Sequence, residues 1–286
     1  MSVEKIPLWE NCNLASSVTP YLLEDDGPHP AVLVIPGGGY GCVCESTEGK
    51  PIARRFNELG YHAFVLEYRV WPELFPAPQQ DAVRAMRIIR HRAAMWRVIP
   101  DRVAVCGFSA GGHLAGSLGT LLPQIPDLSH DAIDAEKALP DAMILCYGDL
   151  DIADDSPSVS CEKLFDGRSF EEKKRDYTLR NHIGALTPPA FVWHTVTDQM
   201  VDFHKSVRFA QAMAEQGTFC ELHLFPQGDH GMLQGIGTRE MSKWPEMASA
   251  FLENVWEFRS NPDEFHEVRT HAFQARMERE KYPDLF

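Results

Sequence analysis

The chain has 286 residues, of which 44% are hydrophobic and 24% charged, and such a composition is typical of a globular protein with a large core. The formal net charge of -14 argues against nucleic acid and against an anionic membrane surface as partners. No apolar run approaches the ~20 residues that cross a bilayer. The first residues include Glu4, Lys5 and Glu10 and lack the apolar segment of a signal peptide. We therefore expect a cytoplasmic protein, with a secreted form whose signal has been removed as the alternative.

Short apolar runs alternate with amphipathic stretches along most of the chain. The predicted strands are Ala31–Ile35, His62–Glu67, Val103–Cys106, Ala142–Tyr147, Ala190–Thr195 and Phe219–Phe225. The predicted helices are Pro51–Leu59, Gln79–Arg97, Phe203–Glu215 and Met241–Phe258, with a further helix directly after the strand at 103–106. This alternation predicts an α/β fold, a mostly parallel twisted sheet with helices on both faces. We expect the residues before Ala31 to add antiparallel edge strands.

Two segments depart from this alternation. Residues 149–187 form a long polar connection between two predicted strands, and connections of this length are usually functional. We interpret them as a small cap-like insertion, with a plain surface insertion as the alternative. Residues 261–286 form a highly charged C-terminal extension with scattered aromatic side chains. A packed helix, an oligomer contact and a partly disordered tail all fit it, so a homo-oligomer stays open. The rest, 1–260, is predicted to be one domain.

The seven cysteines do not indicate a metal site. Cys106 and Cys146 lie in apolar runs, where cysteine acts as a small core residue. Cys42 and Cys44 form a C-x-C pair without further Cys or His at the paired spacing of a zinc site. We therefore expect reduced thiols and no bound metal.

Residues 107–111 read G-F-S-A-G and place Ser109 in a G-x-S-x-G pattern. The predicted strand Val103–Cys106 precedes it, and small and apolar residues that can start a helix follow it. A strand, a sharp turn and a helix form the setting in which this pattern becomes a nucleophile elbow, with the serine hydroxyl held above the sheet. Larger side chains at Gly107 or Gly111 would collide with the neighbouring strand and helix. The sequence therefore predicts a nucleophilic serine.

A serine hydroxyl needs a base to take its proton and a carboxylate to orient that base. At such elbows the chain order is serine, then acid, then histidine. Asp198 directly follows the predicted strand Ala190–Thr195, and His230 lies between glycines in the loop after the last predicted strand. Asp202 is the alternative acid, although at a helix start a carboxylate is commonly just a favourable first-turn charge.

Acyl transfer also needs N–H donors aimed at the developing oxyanion. The backbone N–H of Ala110, directly after the nucleophile, is one predicted donor. Residues 36–40 read P-G-G-G-Y and follow an early predicted strand, where glycines let the backbone approach a ligand closely. A tight glycine turn without a catalytic role is the alternative for this loop.

These motifs together resemble the α/β-hydrolase esterase/lipase family with a G-G-G oxyanion loop. Within it, the chain is most similar to bacterial acetyl esterases and acetylxylan-esterase-like (BD-FAE-like) carboxylesterases. The resemblance covers about residues 18–258, and its matching stretches are Val34–Tyr40, Pro100–Ala115, Pro188–Thr195 and Glu221–Pro226. It implies that Gly38 and Gly39 supply loop N–H groups and that Tyr40 borders the substrate pocket. Pro36 stands where the wider group has a histidine, so no role of that histidine carries over.

The resemblance implies a serine carboxylesterase that cleaves short acyl esters, above all acetyl esters, through an acyl-enzyme. The expected partner is a small-molecule ester, with acetylated sugars or xylo-oligosaccharides as a substrate class, and no metal or organic cofactor is expected. An arylformamidase or a peptidase on the same scaffold would use the same three residues. A non-catalytic binding protein of this fold is the alternative from another class, but such proteins generally lose a residue of the triad.

Overall fold

A mixed sheet forms the centre of the computed structural model, which describes residues 4–9, 15–128, 131–152, 164 and 177–260. Its strands are β1 (Ile6–Pro7), β2 (Ser17–Tyr21), β3 (His29–Ile35), β4 (His62–Glu67), β5 (Val98–Phe108), β6 (Ala142–Cys146), β7 (Ala190–Thr195) and β8 (Cys220–Phe225). They lie in the order β1-β2-β4-β3-β5-β6-β7-β8. The β1–β2 and β2–β4 pairs are antiparallel, and the other pairs are parallel. The predicted α/β fold is confirmed.

The helices connect these strands across both faces of the sheet. They are α1 (Lys50–Glu58), α2 (Ala77–His91), α3 (Ala93–Trp96), α4 (Ala110–Thr120), α5 (His204–Glu215) and α6 (Trp244–Ser260). Within the described ranges, none of them combines the length and the apolar character needed to cross a membrane.

Two hydrophobic cores lie on opposite faces of the sheet, because successive side chains of a strand point to opposite sides. Leu33 and Val105 belong to the core that α2, α4 and α5 cover. Val34 and Cys106 belong to the core that α1 and α6 cover. The central strands are therefore buried on both faces, which is why they read as continuous apolar runs rather than as alternating ones.

Some element boundaries differ from the predicted ones. The predicted helix Gln79–Arg97 is divided, because Arg92 leaves the helical region (φ -98°, ψ 13°) between α2 and α3. It also begins earlier, at Ala77, since a proline at position 78 is tolerated in a first helical turn. Strand β5 begins at Val98 rather than at Val103, because Val98 pairs with His29 across a register shift.

The predicted insertion, 149–187, is described only at 149–152, 164 and 177–187. The described residues 177–187 pack into the domain. Leu179 is fully buried, and a Cβ on Gly116 of α4 would lie 2.6 Å from the Cδ1 atom of Leu179. The Tyr177 ring lies 4.4 Å from the Phe75 ring between centroids. The C-terminal extension, 261–286, lies outside the described residues. The division into domain, insertion and extension therefore stays a prediction.

Candidate active site

Ser109 lies in the sharp turn between β5 and α4, at the carboxyl edge of the sheet. Its φ of 52° and ψ of -120° are strained for a residue with a side chain. A Cβ on Gly107 would lie 2.1 Å from the carbonyl oxygen of Gly111, and a Cβ on Gly111 would lie 2.2 Å from that of Ile35 in β3. The predicted collisions are therefore confirmed. The N–H of Ser109 donates to the carbonyl of Cys146 at 3.0 Å, which fastens the turn to β6.

His230 joins this serine to Asp198. The Nε2 atom of His230 lies 2.8 Å from the Ser109 Oγ atom, and its Nδ1 atom lies 2.7 Å from Asp198 Oδ2. In this arrangement the serine hydroxyl donates to Nε2 and the Nδ1–H group donates to the carboxylate. A proton that leaves the hydroxyl therefore has an acceptor, and the resulting imidazolium has a carboxylate partner.

The carboxylate of Asp198 is buried and fully hydrogen-bonded. Its Oδ1 atom accepts from the N–H groups of Met200 and Val201 at 2.8 Å and 2.9 Å. Its Oδ2 atom, besides His230, accepts from Nε2 of His194 at 3.1 Å. Burial by itself would raise the pKa of Asp198, but the hydrogen bonds from His194, His230 and Val201 outweigh it and hold that pKa well below its usual range. The carboxylate is therefore ionised when the imidazole is neutral.

Asp202, the alternative acid, lies elsewhere. Its Oδ1 atom accepts from the backbone N–H of His204 at 3.0 Å and lies 2.8 Å from Nδ1 of the same residue. Its side chain is 38% exposed, as expected for a charge beside the first turn of α5. The geometry thus brings Asp198, and not Asp202, to His230.

His194, which the sequence places at the end of a predicted strand where it can make a supporting hydrogen bond, contacts the acid of the site. It ends β7, and its Nδ1 atom lies 2.8 Å from the hydroxyl of Ser206 in α5. Its Nε2 atom lies 3.1 Å from Asp198 Oδ2 and 3.0 Å from the Val201 carbonyl oxygen, so the Nε2–H group faces two acceptors and Nδ1 faces the Ser206 hydroxyl. The supporting hydrogen bond predicted for a polar ring at this strand end is therefore the one to Asp198.

The glycine-rich loop runs directly beside the serine. A Cβ on Gly37 would lie 2.9 Å from the Cβ of Ser109. Gly38 and Gly39 have φ values of 130° and 59°, and a Cβ on Gly38 would lie 2.2 Å from the carbonyl oxygen of Cys42. The loop closes through a bond from the Cys42 N–H to the Gly38 carbonyl at 3.2 Å. Only glycine allows this path.

Ala110, the third predicted oxyanion donor, is the first residue of α4. The N–H groups of a first helical turn have no acceptor within the helix. They also lie at the positive end of the helix dipole, which favours a negative charge nearby. The structure thus brings Gly37, which directly precedes Gly38 and Gly39, next to the same serine that Ala110 follows.

The side chain of Tyr40, the residue predicted to border the substrate pocket, packs inside the domain. Its side chain is fully buried, and its hydroxyl lies 2.8 Å from Nδ1 of His113. Its ring meets the Tyr68 ring at 69°. The backbone of Tyr40 has a φ of 55°, and the ring packs inward, where the phenol finds a buried partner. The predicted contact of Tyr40 with substrate stays a prediction.

Glu48 is a buried acid at the site that the sequence did not indicate. It lies in a π-helical turn, Glu45–Gly49, within a stretch that reads as an exposed polar loop. Its two carboxylate oxygens accept from the Gly37 N–H at 2.6 Å and from the Tyr147 hydroxyl at 2.8 Å. Burial raises the pKa of Glu48 by more than the two hydrogen bonds and the nearby His230 lower it.

A buried ion pair between α5 and the segment after β6 lies next to the elbow. The Nζ atom of Lys205 in α5 lies 2.6 Å from Asp149 Oδ1, with both side chains 3% exposed. The Asp149 N–H lies 3.4 Å from the carbonyl oxygen of Ser109. In the described part of the chain, no group of three or more His, Cys, Asp or Glu side chains is arranged to hold a metal ion.

A parallel sheet with a serine elbow after β5, an acid after β7 and a histidine after β8 defines an α/β-hydrolase. The chain belongs to the BD-FAE family, whose model matches residues 21–213. The predicted resemblance is therefore confirmed.

Two curated relatives and two solved structures illustrate the similarity. The chain is 33% identical to endo-1,4-beta-xylanase B of Butyrivibrio fibrisolvens over 74% of its length and 34% of the relative's. It is 30% identical to an acetylxylan esterase of Xylanibacter ruminicola over 73% of its length and 42% of the relative's. The chain thus spans less than half the length of either relative.

The solved structures match over nearly their whole length. An acetyl ester-xyloside bifunctional hydrolase from Caldicellulosiruptor lactoaceticus has a TM-score of 0.82 and 33% identity, covering 88% of this chain and 96% of its own. A thermophilic esterase from Thermogutta terrifontis has a TM-score of 0.73 and 26% identity, covering 88% and 92%.

Proposed function

We propose that this protein is a serine carboxylesterase that hydrolyses short acyl esters, with acetyl esters as the preferred class. The observation that carries the proposal is the unbroken chain of hydrogen bonds from Ser109 through His230 to Asp198, at 2.8 Å and 2.7 Å. The esterases among its relatives and structural neighbours support the same reaction.

In the first half of the reaction, the Oγ atom of Ser109 attacks the ester carbonyl as His230 Nε2 takes the hydroxyl proton. The carbonyl oxygen becomes an oxyanion, and the N–H groups of Gly38, Gly39 and Ala110 stabilise it. Asp198 holds the imidazole with its proton on Nδ1 and stabilises the imidazolium. The bond to the alcohol oxygen then breaks, and the alcohol leaves with the proton from Nε2.

In the second half, water replaces the alcohol. His230 takes a proton from the water as its oxygen bonds to the acyl carbon. The bond between that carbon and the Ser109 Oγ atom breaks, the proton returns to the serine, and the carboxylic acid leaves. Every proton passes through one imidazole, so this chemistry needs no metal or organic cofactor.

We propose acetylated xylo-oligosaccharides as the natural substrate class. The support is chemical and comparative: relatives of this family include an acetylxylan esterase and an acetyl ester-xyloside hydrolase. An acidic protein, with a net charge of -14, is also better suited to a neutral sugar ester than to an anionic substrate.

The test is a substrate panel assayed under one set of conditions. It contains p-nitrophenyl esters from acetyl to octanoyl, acetylated xylo-oligosaccharides, an aryl formamide and a chromogenic peptide amide. We expect the highest kcat/KM among the p-nitrophenyl esters for acetate, and release of acetate from the oligosaccharides. Faster turnover of the formamide or the peptide amide would contradict the esterase assignment, and a preference for octanoyl would contradict the acyl class.

A further inference from the structure

Glu48 stands out because its carboxylate is buried without forming part of the serine, histidine and aspartate chain. The residue is 6% exposed, and the groups that meet its oxygens are an amide and a phenol, both neutral. Burying a carboxylate costs free energy, and burial raises the pKa of Glu48 accordingly. Such a cost is consistent with a role in the site.

One carboxylate oxygen holds the glycine loop. Glu48 Oε2 accepts from the Gly37 N–H at 2.6 Å. A Cβ on Gly37 would lie 2.9 Å from this oxygen and 2.9 Å from the Ser109 Cβ. The carboxylate, the loop and the nucleophile therefore meet at one point. Gly37 directly precedes Gly38 and Gly39, so its position determines where their N–H groups lie relative to the serine.

The other oxygen holds the residue that packs against the catalytic base. Glu48 Oε1 accepts from the Tyr147 hydroxyl at 2.8 Å. The Tyr147 ring meets the imidazole of His230 edge to face, with the centroids 5.2 Å apart and the planes at 73°. Tyr147 also has a φ of 39°, a strained value for a residue with a side chain. The hydrogen bond to Glu48 fixes this ring from its far end.

We propose that Glu48 is a positioning residue that couples the oxyanion loop to the general base. Its two oxygens set Gly37 on one side of Ser109 and, through Tyr147, the imidazole of His230 on the other. This inference rests on the proposed function. Because a shift of about 1 Å at a reacting group costs as much as 10²-fold in rate, loss of both bonds slows the chemical step without removing a group that touches substrate.

The test compares Glu48→Ala with Glu48→Gln on p-nitrophenyl acetate. Alanine removes both hydrogen bonds. Glutamine keeps both: its oxygen accepts from the Gly37 N–H, and its NH₂ group donates to the Tyr147 oxygen, which is able to accept. We expect kcat to fall about 10–100-fold in the alanine variant with KM within about threefold, and activity to be largely rescued in the glutamine variant.

Glu45→Ala is the matched control, since Glu45 lies in the same turn but pairs with Lys5 at 3.0 Å on the surface. We expect it to keep the wild-type kcat. Thermal melts establish that each variant is folded. If Glu48→Ala does not fold, Tyr147→Phe removes one of the two bonds alone and is expected to lower kcat several-fold.

A Glu48→Ala variant with wild-type kcat would overturn the proposal, as would a glutamine variant that loses as much activity as alanine, or an unchanged kcat in a folded Tyr147→Phe. Wild type and Ser109→Ala are assayed in parallel. Turnover that depends on Ser109 but not on Glu48 contradicts only this inference, whereas wild-type protein without Ser109-dependent turnover contradicts the proposed function as well.

Discussion

The Nε2 atom of His230 lies 2.8 Å from the Oγ atom of Ser109, although 121 positions of the chain separate the two residues. Ser109 is held by a turn after a central strand, and His230 by the loop after the edge strand β8. Parallel strands end at the same edge of a sheet, where ligands bind in such folds. The contact places a proton acceptor beside the serine hydroxyl.

Ser109→Ala is expected to abolish ester hydrolysis while leaving the fold intact, because alanine has no oxygen to attack the carbonyl. Loss of a triad serine costs on the order of 10⁶ in kcat. The measurement is hydrolysis of p-nitrophenyl acetate, with circular dichroism to check folding. In wild-type protein, a fluorophosphonate should label Ser109 alone, as read by mass spectrometry of the labelled peptide. A variant that keeps a tenth of the activity would contradict the assignment of the nucleophile.

Asp198→Asn should lower kcat by about 10⁴-fold, because the amide favours the wrong tautomer of His230. Asp202→Asn is the matched control and should leave kcat nearly unchanged, since Asp202 bonds to His204. Each substitution replaces one carboxylate oxygen by an NH₂ group, and kcat of the two variants is measured side by side. The reverse order of losses would show that Asp202 is the functional acid.

Activity should fall as the solution becomes acidic, because a protonated imidazole cannot take the serine proton. Hydrogen bonds hold the pKa of Asp198 well below its ordinary value, so this carboxylate stays ionised over the same range and adds no second step. We therefore expect kcat/KM to decline with a single-proton slope. A profile that stays flat down to about pH 4.5 would contradict the role of His230 as base.

Stability should also fall in mildly acidic solution, through His113. Burial lowers the pKa of this ring from 6.5 to about 4, and its Nδ1 atom lies 2.8 Å from the Tyr40 hydroxyl. Between these pH values the unfolded chain binds a proton at this histidine that the folded protein does not, so the free energy of unfolding decreases as pH falls. One such histidine lowers the free energy of unfolding by at most about 1.4 kcal/mol for each pH unit.

Urea unfolding between pH 7 and pH 5 measures this effect. His113→Asn should reduce the dependence of the unfolding free energy on pH, whatever its effect on stability at pH 7. His204→Gln is the control, because His204 has a 58% exposed side chain. An unchanged pH slope in the His113 variant would contradict the assignment of this proton.

Much of the site could be predicted because its chemistry depends on residues that are neighbours in the chain. The elbow needs Gly107 and Gly111 near Ser109, because a Cβ atom at either position would collide with a backbone carbonyl oxygen. Asp198 and His230 could be chosen since each lies in the loop that follows a predicted strand, β7 for the acid and β8 for the histidine. The same apolar runs predicted the parallel sheet, because a strand buried on both faces carries few polar residues.

Other features depend on side chains that only the folded chain brings together. Glu48 lies in a polar stretch without a pattern, and only the folded chain brings its carboxylate to Gly37 and to Tyr147, the second of them 99 positions away. Tyr40 directly follows the glycine loop, yet its ring turns inward to His113, 73 positions away. Periodicity and motifs report which residues are buried and which turns are tight. The partner of a buried polar group is determined by tertiary packing, since it comes from whichever element lies across the contact.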